Sequence, residues 1–221
     1  MMRIRMPNVR VIGLDIDGTL ANTAKQFRDY AVRYGADLTM QQIRERGGIS
    51  GAYSSILKPE EMGDCLQAAW RDPNSVELTH PKIPDYLHEL QNGPYHYVFV
   101  GATASKGDIG NIKSWLRAKD IPNEGVLHAS RQRDKGKFNI HLQFDDSATA
   151  TASFVQAGLP VVFIETEINA LKVPEVARHK SVFPTRWPEV PKLLSSNPAL
   201  IRNLRTDLEP AFYPETGLAI A

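Results

Sequence analysis

Two carboxylates one residue apart, Asp15 and Asp17, end an apolar run from Val9 to Leu14 that is broken only by Arg10 and Gly13. Alternate side chains of a strand share a face, so both acids are expected to point the same way at the strand's C-terminal end. Open α/β sheets bind ligands along that edge. Like charges so close repel, and they have no evident packing role. The pair suits a divalent cation and a phosphate ester. A D-x-D at a strand end is ordinarily a turn or a solvated edge, so the weight falls on the Gly18-Thr19-Leu20 that follows and on three downstream signals.

Those signals come in chain order at further strand ends. Thr103 directly follows the apolar Val98–Ala102, Lys135 lies beyond a short third strand, and Asp145-Asp146 follow Leu142-Gln143-Phe144. A threonine after a strand is usually a helix cap, and most lysines are solvated. Adjacent acids at the end of a buried strand carry more weight, because they need a cation or a proton. In a parallel sheet all strand C-termini lie on one edge, where residues distant in sequence converge.

The elements that must position these groups follow from the alternation of apolar runs with helix-like stretches, which predicts an α/β fold with a Rossmann-like parallel sheet of about five strands. Strands are expected near Val9–Asp15, Tyr95–Ala102, Gly125–Ala129, Ile140–Phe144 and Pro160–Ile164, with helices over Pro81–Gln91, Asp108–Lys119 and Ser147–Ala157. The gap between the first two strands far exceeds one crossover. Residues 21–80 are therefore expected to form an inserted helical cap, leaving 1–20 and 81–190 as the core and 191–221 as a C-terminal extension. Within the insertion, Thr23 opens a helix stopped by Gly35, Thr39 caps a second through Arg46, and Pro59 opens a third running to Trp70. The Gly-rich stretch 47–51 is expected between helices. Leu200–Leu208 could form a short helix.

Composition excludes several classes. A net charge of +1 gives no footprint for a nucleic-acid polymer, and one cysteine, Cys65, rules out an intramolecular disulfide or a Cys-cluster zinc site. Six histidines lack metal-ligand spacing. No run is long enough for a membrane span. Met1–Pro7 is briefly basic without an apolar segment after it, so a cytoplasmic location is expected. Nothing in the chain speaks to oligomeric state.

The string Asp15-Ile16-Asp17-Gly18-Thr19-Leu20, with Thr103, Lys135 and Asp145-Asp146 in order, resembles the four motifs of the haloacid dehalogenase-like phosphohydrolases. The segments Arg133-Asp134-Lys135, with its nine-residue gap to Asp145, and Tyr97–Ser105 are similar to the deoxyribonucleotidase branch. The resemblance covers about 8–20 and 95–165. It implies a Mg²⁺-dependent phosphatase, a hydrolase acting on a small phosphate ester, with a nucleoside monophosphate as first guess. Asp15 would be the nucleophile and Asp17 the acid and then the base. Mg²⁺ would be held by Asp15, by the backbone carbonyl of Asp17 and by Asp146, with Asp145 behind it or bound through water. Lys135 would neutralise charge, with Lys137 as the other candidate. Thr103 and nearby backbone amides, that of Ala104 among them, would hold the phosphate, and Lys106 is a further candidate contact. Gly18 and Thr19 would border the substrate.

In the cap, Arg46, Gly48, Tyr53 and Trp70 are candidates to touch substrate, although Tyr53 and Trp70 are more often core residues and Arg46 solvent-facing. The cap is also similar to those of sugar-phosphate and phosphoglycolate phosphatases. A phosphomutase would keep the same core. A response-regulator-like phosphoacceptor domain shares the acids, Thr and Lys but lacks the D-x-D-G-T string and the insertion. A silent regulatory relative is unsupported, since every acid is present.

Overall fold

A computed structural model describes residues 10–91, 95–101, 108–122, 125–129, 132–138, 140–197, 200, 212–213 and 218–219. Its centre is a six-stranded parallel sheet formed by β1 (Arg10–Leu14), β4 (Tyr95–Gly101), β5 (Val126–His128), β6 (Leu142–Asp145), β7 (Val161–Ile164) and β8 (Val182–Thr185), in the spatial order β5-β4-β1-β6-β7-β8. The chain builds outward from β1 in one direction and then returns to build outward in the other. The crevice between β1 and β6 is thus the topological switch point, where such sheets bind ligands.

Period-two alternation sorts the strand side chains onto two faces. Ile12, Leu14, Tyr97, Phe99, Leu142, Phe144, Val162 and Ile164 share one cluster with α5 (Ile83–Gln91), α6 (Asp108–Ala118) and α9 (Val190–Ser196). Val11, Val98, Val100 and Val161 turn the other way, toward α7 (Ala148–Gln156), and Phe163 and Val182 pack with α8 (Val173–Val176). The sheet is therefore buried on both sides, as an all-parallel sheet must be.

The five expected strands form, and β8 is a sixth. Its run contains Pro184, which lacks a ladder donor and reads as a break. An edge position accommodates it. The chain beyond Val190 also differs from expectation: α9 is a helix whose Val190 and Leu194 belong to the main core. The helix expected over Leu200–Leu208 lies almost wholly outside the described residues.

Between the short antiparallel strands β2 (Ala21–Asn22) and β3 (Glu77–Leu78) stand α1 (Ala24–Ala31), α2 (Met40–Glu45), α3 (Ile49–Tyr53) and α4 (Pro59–Ala69). They have a core of their own, including Phe27, Ala31, Leu38, Ile43, Tyr53, Leu57 and Cys65. Gly35 ends the first helical stretch in the left-handed conformation, and Thr39 caps α2 in a reciprocal box with Gln42. The Gly-rich stretch is not wholly a loop. Gly47 and Gly48 make the turn at φ of 76° and 104°, and Gly51 lies inside α3, where a Cβ would meet the Arg46 carbonyl at 2.1 Å. No helix among the described residues is long and apolar enough to cross a membrane.

Ile43 is fully buried at the centre of the insertion's cluster. Ile43→Ala should destabilise the protein by about 2–5 kcal/mol. Urea unfolding followed by circular dichroism measures this. An unchanged midpoint would show that the insertion's core does not contribute.

Candidate active site

Asp15 follows β1 and hydrogen-bonds back to the sheet through its N–H on the Phe144 carbonyl at 2.9 Å, so the ends of β1 and β6 are fixed against each other. Its carboxylate is buried. Lys135 Nζ donates to Asp15 Oδ1 at 2.5 Å and to Asp145 Oδ2 at 3.1 Å, and neither lysine nor acid is exposed beyond 1%. A short 3₁₀ helix of two turns, Gln132–Lys137, delivers Lys135. That helix lies hard against α7, and a Cβ at Gly136 would meet the Ser153 carbonyl at 2.7 Å, so the glycine permits the approach. Lys137 is exposed and pairs with Asp134, which leaves Lys135 as the lysine of this site.

Asp15, Asp145 and Asp146 each offer an oxygen within 4.8 Å of the others. Their environments differ. Asp145 is engaged at both oxygens: Oδ2 also accepts from Gln143 Nε2 at 3.2 Å, and Oδ1 accepts from the Ser147 N–H at 2.9 Å. Asp146 is half-buried, and its Oδ1 accepts from the Thr19 hydroxyl at 3.2 Å. The same hydroxyl makes a long contact, 3.5 Å, to Asp15 Oδ2. Thr19, expected beside the substrate, is fully buried and joins two of the acids. Gly18 sits at φ 84°, and a Cβ there would lie 2.3 Å from Asp146 Oδ2, so only glycine lets the turn pass so close to the acid.

The acids are electrostatically strained. Burial pushes the Asp15 carboxyl well above the usual carboxylate range, the Asp145 charge adds to this, and Lys135 opposes it. Asp146 is pushed up to about 7, first by removal from water despite its partial exposure and then by the Asp145 charge. For Lys135, burial favours the neutral amine, but Asp145 and Asp15 outweigh it and raise the pKa. Among the described residues three carboxyl groups face one ammonium, which leaves a surplus of acid over base. Oxygen-only donors with that surplus fit Mg²⁺.

Asp17 does not share this cluster. β1 ends at Leu14, and Asp17 lies outside the group of three, although its charge is near enough to help raise the Asp146 carboxyl. Asp17 Oδ1 accepts from the Trp70 indole N–H at 2.9 Å. Trp70 and Tyr53 are buried, in the main core and the insertion's core respectively. Arg46 is exposed and donates to the Ala52 carbonyl within the insertion, while Gly48 lies buried against the Ile168 backbone. Thr103, Ala104 and Lys106 lie outside the described residues.

Sequence reasoning missed four supporting residues. Trp187 Nε1 and the Thr79 hydroxyl both donate to the Thr19 carbonyl, at 2.8 and 2.6 Å, and Gln143 steadies Asp145. Asn169 donates to the Asp146 carbonyl at 2.9 Å and accepts from the Thr166 N–H. Gln143, a polar residue in an otherwise apolar strand, carried the one signal that could have been read.

Raised carboxyl pKa values fix the sign of a pH effect. The folded state binds these protons more tightly than the unfolded chain does, so their contribution is full below about pH 4 and is lost as pH climbs through about 7 for Asp146. Without divalent cations the melting temperature should fall from pH 5 to pH 8, and Mg²⁺ should restore it more at pH 8 than at pH 5. Asp146→Asn should flatten both responses. Equal Mg²⁺ stabilisation at both pH values would contradict this account.

No family model and no curated protein matches the sequence. Solved structures do match. A "predicted phosphatase" from Clostridium acetobutylicum superposes with TM-score 0.62 at 12% identity over 86% of this chain and 100% of that one. A phosphonoacetaldehyde hydrolase-like protein from Oleispira antarctica gives 0.61 at 14% over 95% and 100%. A haloacid dehalogenase-like hydrolase from Streptococcus pneumoniae gives 0.58 at 14% over 86% and 100%. The fold of this chain is that of the haloacid dehalogenase-like hydrolases and phosphatases.

Proposed function

We propose that this chain is a Mg²⁺-dependent phosphomonoesterase that acts on a small phosphorylated metabolite through an aspartyl phosphate. The observation that carries this reading is Asp15 buried at the sheet's switch point, tied to Lys135 and within 4.8 Å of two further acids. A structural acid has no need of such company, whereas a nucleophile that must meet an anionic phosphate does. Asp15, Asp146 and the Asp17 carbonyl would hold the metal, with Asp145 orienting Lys135 and Asp15 behind them. Bound there, Mg²⁺ would supply charge neutralisation on the transferring phosphoryl oxygens.

The chain's own residues do the rest. An Asp15 oxygen forms a bond to phosphorus as the bond from phosphorus to the leaving oxygen breaks, and protonated Asp17 gives that oxygen its proton. Asp17, now a carboxylate, takes a proton from water. The resulting hydroxide attacks phosphorus, and Asp15 departs as a carboxylate. Lys135 holds Asp15 in place and offsets charge throughout. Thr103 and the Ala104 amide are the proposed phosphate holders. The helices between β2 and β3 act as the cap, excluding water and choosing the leaving group. A nucleoside monophosphate is the first substrate to test, on the resemblance of Arg133–Lys135 and Tyr97–Ser105 to the deoxyribonucleotidase branch. A cytoplasmic setting suits such a substrate.

A panel of phosphomonoesters assayed for phosphate release with Mg²⁺ tests this. Turnover should need the cation and fall at least about 10³-fold in Asp15→Asn. Asp17→Asn should lose about 10²–10⁴-fold. Activity surviving Asp15→Asn would end the nucleophile assignment, and preference for sugar phosphates would end the nucleotide one.

A further inference from the structure

We propose that Trp70, a residue of the inserted segment, positions the acid of the reaction: its indole N–H holds one carboxylate oxygen of Asp17 and thereby orients the other toward the leaving group. The inference rests on the phosphomonoesterase reading and goes beyond it by naming what aligns the proton donor. Trp70 follows directly on α4, and its N–H lies 2.9 Å from Asp17 Oδ1 across 53 residues of sequence. The indole is 1% exposed and packs edge-on against Trp115, with ring centroids 5.6 Å apart at 80°. Trp115 is fixed in turn, since its own indole N–H donates to the Val76 carbonyl at 2.9 Å, just before β3. The donor is thus locked by α4, by α6 and by the strand that leads out of the insertion.

The chemistry suits positioning. An indole N–H donates and cannot accept, so it cannot take the proton that Asp17 must deliver. It holds one oxygen of a carboxyl whose terminal torsion is intrinsically broad and roughly two-fold. A proton donor works only when held within reach of the leaving oxygen. A substrate lid needs contact with its ligand, but Trp70 is too deeply buried to act as a stacking platform. Its role runs through Asp17.

Leaving-group dependence separates this role from a structural one. Trp70→Phe keeps an aromatic ring and removes the donor. With an alkyl phosphomonoester, whose leaving alkoxide needs the proton, kcat/KM, which reports the step that forms the aspartyl phosphate, should fall on the order of ten-fold or more. With 2,4-dinitrophenyl phosphate, whose phenolate leaves unaided, it should change by less than about three-fold. In an Asp17→Asn background, Trp70→Phe should add no further loss on the alkyl substrate. Equal losses on both substrates, or an additive double mutant, overturn the proposal while leaving the phosphatase reading intact. A wild-type protein inert toward every phosphomonoester overturns the reading and the catalytic role together. Should Trp70→Phe fail to fold, the indole N–H resonances of the three tryptophans decide. In Asp17→Ala the Trp70 signal should shift upfield more than those of Trp115 and Trp187, and an unmoved Trp70 signal overturns the proposal.

Discussion

The buried ammonium of Lys135, clamped between Asp15 and Asp145, is the interaction on which the rest of the molecule depends. Removing such a charge from water costs several kcal/mol, and losing one partner of a buried pair typically costs about 3–5 kcal/mol. The surroundings look arranged to meet that cost. Gly136 lets the 3₁₀ helix come against α7, Gln143 and the Ser147 N–H donate to Asp145 alongside the lysine, and Thr19 bridges from Asp15 to Asp146. Sheet order does the rest by setting the end of β1 beside the end of β6.

Much of this was legible in the sequence because the core obeys simple periodicities. Five of six parallel strands show as apolar runs, and the acids sit at their ends, so the parallel topology alone brings Asp15 to Asp145 and Asp146. The nine-residue gap to Asp145 favoured Lys135 over Lys137, and the fold buries the first between two acids while the second pairs with Asp134 at the surface. Strand β8 was hidden by Pro184, which is harmless only at an edge that the sequence does not mark. The Trp70 partner of Asp17 was not legible either, because it comes from the insertion 53 residues further along the chain. Trp187 and Thr79 were invisible for another reason: both act on a backbone carbonyl, and such contacts leave no pattern in a chain read linearly.

The division of labour among the four acids follows from their surroundings. Asp145 accepts from Lys135, Gln143 and the Ser147 N–H and suits orientation. Asp146 accepts from Thr19 at Oδ1 and sets Oδ2 against the Gly18 turn, and Asp15 is held at one oxygen by the lysine. Asp17 is half-buried, less enclosed than Asp15 and Asp145, and one of its oxygens accepts from the Trp70 indole. Identical side chains one to two residues apart are thereby given different tasks by what packs against them.

The separation of the site's parts along the chain bears on how the protein comes to life. Asp15 and its lysine are 120 residues apart, and the sheet closes around them only when β6 docks beside β1. Contacts so distant in sequence form late, because loop-closure entropy must be met first. A chain emerging from the ribosome can complete neither half of the pocket until nearly two thirds of it has been made. Until then three acids and a lysine remain hydrated and harmless, so chemical competence arrives only with the finished fold.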